Sequence, residues 1–199
     1  MKLRKVAVIA AAATMMGGVA WAGDTAGNRT YDEPPNRKSG DVLGDAPALS
    51  SETFATKAAQ GGMAEVELGK LGAKKAQSAE VKQFAQRMIT DHNKANSQLE
   101  ALASKEGVDL PKDVGAEHKA AIDRLEGLSG DEFDRAFAAQ MVADHEKTVK
   151  LFRDASQASS VDEDLRQFAK KTLPTLEHHK QEADELNSKV RGTAADNPQ

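Results

Sequence analysis

Four stretches of the chain repeat apolar and small residues every three or four positions, and each predicts a long helix. The first runs from Glu52 to Ala76, with Phe54, Ala58, Gly61, Leu68, Gly72 and Ala76 on one stripe. Its glycines Gly61, Gly62, Gly69 and Gly72 each cost a helix about 1 kcal/mol against alanine, which predicts that another helix approaches closely there. Ser78 caps the second, whose stripe is Val81, Phe84, Met88, Ala95, Leu99 and Leu102, and Gly107 ends it. Pro111 opens a shorter helix through about Leu128. Ser129-Gly-Asp-Glu132 and Ser160-Val-Asp-Glu163 read as capping boxes that start the last two long helices. The first of these carries Phe133, Phe137, Met141, Thr148 and Phe152, and the second Leu165, Phe168, Thr172, Leu176, Ala183 and Leu186. Pro174 removes one backbone bond from the last helix and predicts a kink. No stretch alternates long enough to predict a strand.

Short connectors make the first two long helices one antiparallel pair and the last two another. Residues 107–129 between the pairs are long enough for a crossover with its own short helix. The expected fold is therefore all-α, a ferritin-like antiparallel four-helix bundle over residues 50–190, with six Phe as its largest core pieces. An internal repeat supports the pairing. Phe84-Ala-Gln-Arg-Met-Ile-Thr-Asp-His-Asn-Lys94 matches Phe137-Ala-Ala-Gln-Met-Val-Ala-Asp-His-Glu-Lys147, and Phe168-Ala-Lys-Lys-Thr-Leu173 keeps a vestige.

Both ends of the chain stand apart from this pattern. Lys2, Arg4 and Lys5 precede an apolar run from Val6 to Met16, and Ala20-Trp21-Ala22 supplies a small-x-small cleavage pattern. Residues 1–22 thus read as a cleaved secretory signal peptide, too short in its apolar run to span a bilayer. Residues 23–49, with Pro34, Pro35 and Pro47, read as a disordered spacer, and 191–199 as a disordered tail. The expected location is the periplasm, with a place peripheral to the outer membrane as the alternative.

Charge and composition then remove whole classes of function. The chain has 27 Lys+Arg, 31 Asp+Glu and no Cys; the predicted leader takes with it three positive charges and no negative one. Such a balance lacks the basic face of a nucleic-acid binder. Without Cys there are no disulfides, thiolate ligands or cysteine nucleophile.

Four polar side chains fall on the apolar stripes: Glu65, His92, His145 and His179, one per long helix. Counted from the two turns, the members of each pair lie at similar depth. Buried polar groups must be hydrogen-bonded, paired or metal-bound. Four such groups could hold one transition-metal ion, and Zn, Cu, Fe and Mn all suit His and carboxylate ligands. Asp91 and Asp144 directly precede their histidines and could orient a His of an adjacent helix, or form surface ion pairs with Lys94 and Lys147. His178, off the stripe, is the alternate to His179; His118 reads as a surface residue.

The segments Met63-Ala-Glu-Val-Glu-Leu-Gly-Lys-Leu71, Met88-Ile-Thr-Asp-His-Asn-Lys94, Gly130-Asp-Glu-Phe-Asp134 and Leu173-Pro-Thr-Leu-Glu-His-His179 resemble the bacterial exported family called domain of unknown function 4142. Its members are ferritin-like bundles often labelled outer membrane proteins, although no barrel strands are legible here. The resemblance implies the fold and export but no established activity. Di-iron ferritin-like proteins place Glu-x-x-His on two helices, whereas Ile89, Val142 and Leu176 stand three before the histidines here. The leading reading is an exported single-metal bundle for metal buffering, sensing or envelope stress tolerance. The alternatives are a metal-free scaffold whose histidines form a structural network and which meets an envelope or cell-wall partner, and a metal-dependent redox enzyme. There is no Ser/His/Asp set and no phosphate-cradling loop, so a non-enzyme is favoured.

Overall fold

The computed structural model describes residues 49–195, with side chains described as far as residue 192. The predicted signal peptide, nearly all of the spacer and the last residues of the predicted tail lie outside them. Five helices and no strand occur among the described residues: α1 (Ser51–Lys75), α2 (Ala79–Glu106), α3 (Gly115–Glu126), α4 (Gly130–Gln157) and α5 (Glu163–Ala195). No helix among them is long and apolar enough to cross a membrane.

The first two helices begin where a serine side chain satisfies their first amides, whereas α3 and α4 begin without a side-chain cap. Ser50 accepts from the Thr53 amide, and Ser78 accepts from those of Glu80 and Val81. The two capping boxes do not form. Ser129 makes no side-chain cap bond, and the Ser160 hydroxyl donates instead to the Leu49 carbonyl at 2.8 Å. With the Asp162 amide donating to Ser51 Oγ, that contact ties the start of α1 to the α4–α5 connector. Pro111 does not open α3, because Gly115 has a φ of 76°. A left-handed residue interrupts any right-handed path from Pro111, so the helix starts at Gly115. The last helix passes Pro174 without a break and continues beyond Val190 to Ala195.

α1 packs along α2, and α4 along α5; α1 also meets α4, α2 meets α5, and α3 lies against α1 and α4. Glycines permit the first of these approaches. A Cβ on Gly69 would stand 2.9 Å from the Ala85 carbonyl oxygen, and one on Gly72 would stand 2.9 Å from the Ala85 Cβ, as well as 2.8 Å from the Phe137 ring of α4. At Gly61, in contrast, a Cβ would make only ordinary contact, 4.0 Å from Thr148 Oγ1 of α4. Asp134 on α4 fixes the α1–α2 turn: its carboxylate accepts from the amides of Gln77 at 3.1 Å and Ser78 at 2.7 Å.

All six phenylalanines are buried, but the core is not one block. Leu68, Phe84, Met88, Phe137, Met141 and Ala183 belong to one apolar cluster, and Phe54, Leu99, Phe152, Phe168 and Leu176 to another. Each long helix passes from one to the other around its buried polar residue. Met88 and Leu99 flank His92, Met141 and Val149 flank His145, Leu176 and Ala183 flank His179, and Ala59 and Leu68 flank Glu65. The polar residues thus form a layer between two hydrocarbon halves.

Candidate metal centre

Three imidazoles converge in that layer. His92 from α2, His145 from α4 and His179 from α5 are 5%, 0% and 1% exposed, and each offers a ligand atom within 4.8 Å of the other two. Their ring centroids form a nearly equilateral triangle with sides of 5.7, 5.5 and 5.5 Å. Rings radiating from one ion with metal–nitrogen bonds of about 2.0–2.1 Å have centroids about 5.2–5.5 Å apart, so the triangle has the size of a ligand set.

The hydrogen bonds decide which nitrogens face inward. His145 Nδ1 donates to the Met141 carbonyl, one turn back on the same helix, at 2.9 Å. His179 Nε2 donates to Asp91 Oδ2 across the α2–α5 interface, also at 2.9 Å. Each bond fixes a ring and leaves its other nitrogen with a lone pair. Among the described residues His145 Nε2, His179 Nδ1 and His92 Nε2 are buried and have no hydrogen-bond partner. Three partnerless ring nitrogens at one place are unusual, since buried polar atoms are nearly always satisfied.

Their protonation suits a cation. Burial lowers all three ring pKa values: His92 well below the usual imidazole range, aided by His145 and His179; His145 to about 4; His179 less, because Asp91 offsets part of the effect. The rings are therefore neutral at pH 7, and a metal need not displace a proton from them.

Glu65 stands beside the trio. It is 2% exposed, its Oε1 lies 3.7 Å from His145 Nδ1, and its Oε2 has no partner among the described residues. Burial, reinforced by the negative charge of Asp144, holds its carboxyl well above the usual range. The two aspartates of the repeat diverge. Asp91 orients His179, as the sequence allows. Asp144 takes a hydrogen bond from Gln140 at 2.9 Å on its own helix and lines a cleft between α1, α3 and α4. His178 is exposed, 3.5 Å from Glu182, and takes no place in the trio. His118, expected at the surface, is half-buried in the wall of the same cleft. The Met141 carbonyl had no signal in the sequence, because any residue supplies a carbonyl.

Fold and site define an all-helical domain with a buried trio of imidazoles able to hold a metal ion. The chain belongs to the family described as Domain of unknown function (DUF4142), whose model matches residues 42–186. Two solved structures share the fold. A DUF305 fragment from Deinococcus radiodurans has a TM-score of 0.62 at 16% identity, covering 72% of this chain and 97% of that one. A DUF305 protein from Streptomyces coelicolor, provisionally described as secreted, has a TM-score of 0.60 at 13% identity, covering 72% and 95%. No curated protein matches this chain.

Proposed function

We propose that the protein is an exported, ferritin-like four-helix bundle that binds one transition-metal ion through His92, His145 and His179, with Glu65 as the carboxylate that joins them, and that it serves metal buffering, sensing or envelope stress tolerance. The observation that carries the reading is the set of three buried, partnerless ring nitrogens, two of them aimed inward by hydrogen bonds on their opposite sides. A metal-free polar network would use such atoms to bond one another or nearby groups. Export is supported by the leader pattern of residues 1–22 and by the provisional description of the Streptomyces coelicolor neighbour as secreted. The imidazole-rich set suits Zn, Cu, Fe or Mn.

Metal content of the tag-free protein, purified without chelator beside the His92→Ala/His145→Ala double variant, tests the reading. Near-stoichiometric metal in the wild type and none in the variant is the expected result. Wild-type protein that arrives empty and takes up no added Zn, Cu, Fe or Mn leaves the histidines as a structural network.

A further inference from the structure

Three ligands set in a triangle leave a metal ion its next position along the normal to that triangle. The imidazole layer crosses the bundle, so the normal points toward one or the other hydrocarbon half. The two sides differ. On one, Met88 and Met141 are fully buried, and the Phe84 ring makes an edge contact with His145, 6.4 Å between centroids. On the other, the side of Phe152 and Phe168, a cavity of about 20 Å³ adjoins the layer, with His92 itself in the wall. Every long helix reaches that wall within about one turn of its layer residue. Gly62 stands three before Glu65, Asn96 four after His92, Thr148 three after His145 and Leu176 three before His179. The imidazole layer is therefore the end wall of the cavity.

The small residues of the wall keep this space. A Cβ on Gly62 would collide with Asn96 Oδ1, so the bare α1 backbone is what lets the amide lie there. Ala58 and Ala95 contribute only methyl groups. A volume of this size holds one water-sized species. Glu65 meets His145 at its Nδ1 edge and has no place in the cavity wall, so a carboxylate ligand from there leaves the cavity side free.

We infer that the cavity is a small-ligand site on the metal centre: an ion held by the three imidazoles keeps one coordination position facing it, which takes a water molecule or a diatomic molecule of similar size. The inference rests on the metal-binding reading above. Imidazole and carboxylate sets that leave a position to an outside ligand suit a ferrous ion. A neutral ligand also suits a wall rich in hydrocarbon, where an unpaired charge is costly. Binding is by coordination alone, and no bond within the ligand breaks.

Nitric oxide added without oxygen to the Fe²⁺-loaded protein tests the site. The wild type is expected to give the electron paramagnetic resonance signal of a high-spin iron nitrosyl, in proportion to its iron content. Ala58→Val and Ala95→Val each extend two methyl groups into the cavity, one from α1 and the other from α2. Each is expected to keep its iron and to bind nitric oxide at least about tenfold more weakly, since the ligand must then overpack the wall. Bound iron that gives no such signal overturns the inference, as does wild-type nitric oxide affinity in both variants. Wild-type protein that takes up no Fe²⁺ overturns it too, and the metal reading falls with it only if Zn, Cu and Mn are also refused.

Discussion

Neutral imidazoles held in a hydrocarbon setting give the protein a calculable response to acid. His145 is pushed from 6.5 to about 4, and His92 and His179 move in the same direction. The unfolded chain therefore binds more protons than the folded one below about pH 6.5. The stability these rings contribute is fully present above that pH and is lost as pH falls from about 6.5 through about 4. Glu65 works in the opposite sense. Its folded pKa is raised, so the unfolded chain loses its proton first, and the contribution present below about pH 4.5 fades as pH rises through the folded value. Urea titrations of metal-free protein should show stability climbing between about pH 4 and 6.5, and Glu65→Gln should flatten the decline on the alkaline side. At this scale the four inward residues were legible from helical spacing alone, because a polar residue on an apolar stripe has nowhere else to point. The different roles of Asp91 and Asp144 were not. They occupy equivalent places in the repeat, but α2 turns its aspartate toward α5, while α4 turns its own toward a cleft that α3 and α1 create.

Among the elements, the packing of α1 on α2 depends on missing side chains. Gly72→Ala would gain about 1 kcal/mol of helix propensity, but the new methyl group meets Phe137 at 2.8 Å and Ala85 at 2.9 Å. Overpacking of that kind costs about 1–3 kcal/mol, so the variant should melt lower than the wild type. Gly192→Ala, with nothing within 4 Å, should melt slightly higher. Thermal denaturation of the pair distinguishes packing from propensity. The turn between these helices depends on a residue from elsewhere in the chain. Asp134→Ala strips the acceptor from two amides at the start of α2, and losing a cap of this type costs about 0.5–2 kcal/mol, readable as a lower urea midpoint. Helix existence and order followed from periodicity, and α4 starts where Ser129 placed it, without the bond from its hydroxyl, whereas the starts of α3 and α5 did not follow from their motifs. Ser160 shows why: a hydroxyl suited to capping is used by the Leu49 carbonyl, a partner distant in sequence and invisible to a local rule.

For the molecule as a whole, an ion held at the imidazoles would draw together three helices and both hydrocarbon halves. A ligand that binds only the folded state adds about 2.7 kcal/mol at a hundred times its dissociation constant, and such a gain should appear as a higher melting temperature with metal and vanish in His179→Ala. Hydrogen exchange should show protection rising on α2, α4 and α5 together, since each supplies one ring. The all-helical architecture was open to a reader of the sequence, including the short helix between the second and third long ones. The cleft was not, because residues of α1, α3 and α4 far apart in the chain build it.

The polar layer also acts as an index mark. Helices whose contacts are wholly aliphatic can slide past one another by a turn with little penalty, since leucine meets methionine about as well as it meets alanine. Here a slip of one turn would drive an imidazole into the Phe137 side or the Phe152 side of the core and strand it there without a mate. Four helices that each carry a single such mark at matching depth can be assembled in only one vertical alignment, so the layer selects the register of the long helices whether or not an ion is bound.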